Sequence, residues 1–76
     1  MITVKLYGLI RIESGFKEKQ FQANTVKEVL DMLSACSIPR KSLNECVIFV
    51  NGISAGKRSK LKDGDTVVLM SPVAGG

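Results

Sequence analysis

Thr25-Val26-Lys27-Glu28-Val29-Leu30-Asp31-Met32-Leu33 is the stretch around which the rest of the chain must arrange itself. Thr25 followed three residues later by Glu28 is a capping box, in which hydroxyl and carboxylate satisfy backbone amides that a helix start leaves unpaired. Val26, Val29, Leu30 and Leu33 then fall at i, i+3, i+4 and i+7, which gathers them on one face and leaves Lys27, Glu28, Asp31 and Ser34 for water. The spacing predicts an amphipathic helix whose apolar stripe is core. Pro39 blocks any continuation, because it has no amide hydrogen and drives Ile38 away from helical geometry.

Toward the N-terminus, Ile2, Val4 and Leu6 alternate with Thr3, Lys5 and Tyr7, the period of a half-buried strand, with Gly8 as a point of interruption. The pattern stops at Glu13-Ser14-Gly15, where a turn is expected. Lys17-Glu18-Lys19-Gln20-Phe21-Gln22-Ala23 reads as a second, more exposed strand that forms a hairpin with the first. Toward the C-terminus, Cys46-Val47-Ile48-Phe49-Val50 is a continuous apolar run closed by Asn51-Gly52, as suits an interior strand. Thr66-Val67-Val68-Leu69-Met70 is another, preceded by a turn at Asp63-Gly64. The order ββαββ closes a core only if the helix lies across one face of a mixed sheet, which predicts an α+β roll.

Composition removes most catalytic classes. At 76 residues the chain supports one modest core and no cleft between domains, and the absence of histidine excludes triads and most zinc sites. No metal site is expected. Cys36 and Cys46 form no C-x-x-C pair and read as two buried, reduced thiols. No run approaches the ~18 apolar residues of a membrane span, and Met1-Ile2-Thr3-Val4-Lys5 lacks the head of a signal peptide, so a cytoplasmic protein with no membrane partner is expected. The net charge of +4 owes much to Lys57, Arg58, Lys60 and Lys62, which read as a solvated loop. No aromatic residue is interleaved with them, so nucleic acid is not an expected partner.

Two stretches imitate catalytic motifs and fail. Gly52-Ile53-Ser54-Ala55-Gly56-Lys57-Arg58 has three residues between its glycines where a phosphate-binding loop needs four, and Arg58 stands where that loop needs a magnesium-binding hydroxyl. Asp63 and Asp65 flank Gly64, and turn chemistry accounts for both. What remains is the end of the chain, Ser71-Pro72-Val73-Ala74-Gly75-Gly76. Pro72 prevents further ladder pairing, and the five residues from Pro72 onward reach roughly 17 Å if extended. Glycines at the tip have no Cβ to clash with a narrow channel or an incoming nucleophile. The expected organisation is a domain over 1–71 and a tail over 72–76 that presents its carboxylate.

Val50-Asn51-Gly52, Leu61-Lys62-Asp63-Gly64-Asp65-Thr66-Val67 and Pro72-Val73-Ala74-Gly75-Gly76, in that order, resemble the MoaD/ThiS family of ubiquitin-like sulfur carriers, and among these the small subunit of molybdopterin synthase. The first strand, through Val4-Lys5-Leu6-Tyr7, and the helix opening Thr25-Val26-Lys27-Glu28-Val29-Leu30 extend the resemblance over the whole chain. It implies a β-grasp (ubiquitin-like) roll and a chain that is not an enzyme alone but an accessory subunit, with no cofactor bound. A ubiquitin-activating-type adenylyltransferase would use ATP to adenylate Gly76. A sulfur donor such as a cysteine desulfurase or rhodanese would then leave a thiocarboxylate, for use by the large subunit of molybdopterin synthase. Gly75 would supply clearance, and Pro72, Val73 and Ala74 would be held in the partner's channel. Val68, Met70 and Phe49 are expected on the sheet face away from the helix as an apolar docking patch, with core packing as the competing explanation for each. Met70-Ser71 stands where the molybdopterin branch commonly has a second proline after aromatic residues, so thiamine thiazole or another sulfur-requiring pathway stays open, as does a ubiquitin-like modifier.

Overall fold

The first and last strands lie side by side in the sheet. A computed structural model describes residues 1–71. Along the chain come β1 (Ile2–Tyr7), α1 (Leu9–Ser14), β2 (Glu18–Phe21), α2 (Val26–Ala35), α3 (Arg40–Asn44), β3 (Val47–Val50), β4 (Ile53–Ala55) and β5 (Thr66–Met70). The strands form one mixed sheet in the order β2-β1-β5-β3-β4, with β1 and β5 parallel and the other pairs antiparallel. β5 therefore has a ladder on each side, and its direction of exit is set by both neighbours.

α2 is the helix the capping box announces. Thr25 has extended backbone, and its Oγ1 accepts from the Glu28 amide at 3.2 Å. The Glu28 carboxylate reaches one residue further back than the usual box, accepting from the Asn24 amide at 2.6 Å. Val26, Val29, Leu30 and Leu33 are buried in one cluster with Val4, Leu6, Ile48, Val67 and Leu69 from the sheet. Each such side chain contributes roughly 1.5–3 kcal/mol relative to leaving it in water. The result is the α+β roll with a helix across one face of a mixed sheet, and among the described residues no polar or charged residue is buried.

The structure adds three elements to the predicted order. The region expected to turn at Glu13-Ser14-Gly15 is the end of α1, closed by Gly15 in the left-handed conformation with its amide on the Arg11 carbonyl. β1 and β2 are antiparallel neighbours as expected, but α1 lies between them, and its Ile10 is fully buried. After α2, Ser37 takes a positive φ of 72°, and Pro39 precedes α3, which buries Leu43. Asn51 and Gly52 both have positive φ, 51° and 83°, the signature of a two-residue hairpin turn, so the chain folds straight back into β4. β4 has only three residues, too few for its alternation to announce a strand.

β3 is interior to the sheet, as expected, with α2 on one face only; Val47, on the other, is 51% exposed. One reading is corrected. Cys36, expected in the core, is exposed just past the end of α2, whereas Cys46 is partly buried. Both thiols are free. Lys57, Arg58, Lys60 and Lys62 are all exposed, and the Lys57 ammonium donates to the Asn44 side-chain oxygen at 3.0 Å.

Candidate functional site

The predicted tail residues Pro72, Val73, Ala74, Gly75 and Gly76 lie outside the described residues. What the structure places is the surface from which they leave.

Because side chains alternate along a strand, burial of Val67 and Leu69 under α2 turns Thr66, Val68 and Met70 to the opposite face. Burial of Ile48 does the same for Val47 and Phe49, and burial of Ile2, Val4 and Leu6 for Thr3, Lys5 and Tyr7. The register orders these residues in rows across the sheet. Tyr7, Met70 and Val47 form the row beside Ser71, and they are 45%, 44% and 51% exposed. Lys5, Val68, Phe49 and Ser54 form the next, with Val68 and Phe49 half-buried. Thr3 and Thr66 form the third, which is polar. The open face is thus apolar at the end where β5 leads into the tail and polar at the other.

Val68, Met70 and Phe49 are together on this face. Tyr7 and Val47 complete the patch and were not singled out from the sequence. The alternation of β1 already turned Tyr7 away from Ile2, Val4 and Leu6, whereas Val47 sits in an unbroken apolar run that carries no facing information.

The last described residue is held tightly. The Ser71 amide donates to the Tyr7 carbonyl at 3.1 Å, its hydroxyl donates to the same carbonyl at 3.3 Å, and the Ile10 amide donates to the Ser71 hydroxyl at 2.9 Å. Gly8 stands against it with φ 82°.

The remaining titratable groups account for themselves structurally. Burial pushes the Cys46 thiol up to about 11, the Glu13 and Glu45 carboxylates add to the shift, and its Sγ rests 3.2 Å from the Ser42 carbonyl oxygen. Such a thiol is protonated at neutral pH and a poor nucleophile. Asp65 is held below the ordinary carboxylate range, first by the Lys62 amide at 2.8 Å and then by the Asn51 side-chain amide at 2.9 Å. Asp63 pairs with the N-terminal ammonium, so the two aspartates serve the turn and the chain start. Asp31 is lowered chiefly by the hydrogen bond from Arg40 at 2.9 Å. Among the described residues, no cluster of three metal-ligating side chains occurs and no helix is long and apolar enough to cross a membrane.

Comparison with known proteins gives the surface a context. The model of the ThiS family matches residues 4–76. A chain in the complex of subunits 1 and 2 of the molybdopterin-converting factor from Helicobacter pylori is 29% identical, with a TM-score of 0.75 over 99% of this chain and 97% of that one. A chain of the BexX/CysO complex from Amycolatopsis orientalis is 26% identical, with a TM-score of 0.72 over the full length of both. The small archaeal modifier protein 1 from Methanosarcina acetivorans, 24% identical with a TM-score of 0.80 over 99% and 95% of the two chains, shares the fold. No match was found among curated proteins.

Proposed function

This chain belongs to the ThiS family, and on that premise we propose that it carries sulfur on its own C-terminal carboxylate, at Gly76, for molybdopterin biosynthesis. The observation that carries this reading is the graded open face: its apolar row Tyr7-Met70-Val47, backed by Val68 and Phe49 between Lys5 and Ser54, stands at the end of the sheet where the central strand runs into Ser71. A partner seated there has an apolar anchor and receives the terminal carboxylate in one encounter.

A carboxylate is a poor electrophile, and transfer of AMP to Gly76 with loss of pyrophosphate supplies a good leaving group. An adenylyltransferase of the ubiquitin-activating type performs that step with ATP. The persulfide of a cysteine desulfurase or rhodanese then displaces AMP to give an acyl persulfide. A thiol reductant cleaves its S–S bond and leaves with the donor's sulfur as a disulfide, and the thiocarboxylate is delivered to a large synthase subunit. This chain is the substrate at each stage rather than the catalyst, which accords with its lack of histidine and its protonated, half-buried Cys46. The likeness to a chain of the molybdopterin-converting factor complex, at 29% identity, supports the molybdenum branch. The likeness to a chain of the BexX/CysO complex keeps another sulfur-requiring pathway as the second reading.

Intact mass is the test, measured after incubation with ATP, the adenylyltransferase, a persulfide donor and a thiol reductant. Replacement of oxygen by sulfur in the last peptide is the expected result. An unchanged mass alongside an enzyme that adenylates its own known carrier sinks the proposal, and glycine-glycine remnants on lysines of other proteins favour a modifier.

A further inference from the structure

Ser71 is the one residue at the tail's root whose side chain makes two hydrogen bonds, and both go to the opposite end of the sequence. Its hydroxyl accepts from the Ile10 amide at 2.9 Å and donates to the Tyr7 carbonyl at 3.3 Å, while its own amide donates to that same carbonyl at 3.1 Å. α1 starts at Gly8, which has no side chain to cap it, so the cap for its Ile10 amide comes from 61 residues away. Gly8 itself has φ 82° and ψ −152°, a conformation almost reserved for glycine. A Cβ built there meets both the carbonyl oxygen and the hydroxyl of Ser71 at 2.7 Å. The β1–α1 corner is therefore shaped to admit residue 71 and to bind it by three hydrogen bonds.

From this geometry we infer that the Ser71 hydroxyl is a positioning group, a clasp that sets where the carrier arm begins and in which direction it leaves. The inference rests on the sulfur-carrier reading above. Tyr7 is paired with Met70 in the parallel ladder, so the clasp lies one residue beyond the apolar row that anchors a partner. Pro72 follows, with a fixed φ of its own and a restriction on Ser71 to extended backbone. With the clasp closed, the span from Met70 to the corner is constant, and five residues remain to reach the partner's catalytic atoms. Without it, Ser71 is held only by its amide on the Tyr7 carbonyl, and more backbone must be ordered each time the tail is captured. The effect falls on capture rather than on the chemistry, because Ser71 lies five residues from the reacting carboxylate.

The test compares the full chain with Ser71→Ala and Ser71→Thr, using steady-state ATP–pyrophosphate exchange by the adenylyltransferase together with amide hydrogen exchange. Ser71→Ala is expected to speed exchange at the Ile10 amide and to raise the KM for the carrier about five- to tenfold, with kcat within about twofold of the parent. Ser71→Thr, which keeps the hydroxyl, is expected to restore both. A cap that serves only the helix moves the Ile10 exchange and leaves KM alone, and that result overturns the inference, as does a fall in kcat at constant KM or an unaltered Ile10 amide. Failure of the parent chain to be adenylated overturns the carrier reading instead, and the clasp's use with it.

Discussion

At the residue scale, two side chains decide how the molecule meets solvent chemistry. Cys36 lies on the surface, and Cys46 is held as a thiol by burial beside Glu13 and Glu45. With its pKa pushed up to about 11, Cys46 has a thiolate fraction of roughly one in a thousand at pH 8. Brief iodoacetamide treatment of the native protein at pH 8 is expected to label Cys36 well ahead of Cys46, and peptide mass spectrometry reads the order; equal labelling contradicts the burial. Asp65 gives the acid-side counterpart. Its carboxylate accepts from the Lys62 amide and the Asn51 side chain, so its pKa is depressed in the folded state. The stability it contributes is present above the ordinary carboxylate value of about 4 and is lost as pH falls through the depressed one. Asp65→Ala is expected to lower urea midpoints at pH 6 and to flatten their fall below pH 4, where parent and variant converge.

At the scale of elements, the capping box and the two faces of the sheet carry the argument. Thr25 Oγ1 satisfies the Glu28 amide, and Thr25→Ala is expected to cost about 1 kcal/mol in urea denaturation, with the slope unchanged. Leu30, buried between α2 and the sheet, sets a larger scale: Leu30→Ala is expected to cost about 2–5 kcal/mol in the same measurement. The open face behaves oppositely. Met70 is 44% exposed, so Met70→Asp is expected to cost about 1 kcal/mol of stability, less than the core substitution, while weakening capture by the adenylyltransferase about tenfold or more. Titration calorimetry separates these effects; a variant that binds as tightly as the parent removes the patch from the interface. β3 shows why its facing was not legible in advance. An apolar run of Val47-Ile48-Phe49-Val50 is compatible with burial on either side, and the choice depends on where α2 lies.

At the scale of the whole molecule, the sheet makes the last strand the central one, so Ser71, the last described residue, stands at the middle of the sheet rather than at its edge. Deleting Gly76, or adding one residue after it, is therefore expected to abolish sulfur transfer while leaving the unfolding midpoint within experimental error of the parent. A thiocarboxylate formed on an extended chain defeats that expectation. Much of this organisation was local in origin and so readable along the chain: the helix from Thr25-Val26-Lys27-Glu28 and its stripe, the alternation of β1, and the turns at Asn51-Gly52 and Asp63-Gly64. Each rests on interactions among residues a few positions apart. Short α1, α3 and β4 did not announce themselves, because a segment of three to six residues holds too few periods to show a face and is stabilised by what it packs against. The pairing of β1 with β5, which sets Tyr7 and Val47 on either side of Met70, and the joining of Ser71 to Tyr7 and Ile10 were decided only in three dimensions. Those contacts link residues up to 64 positions apart, and no local propensity encodes a partner that distant.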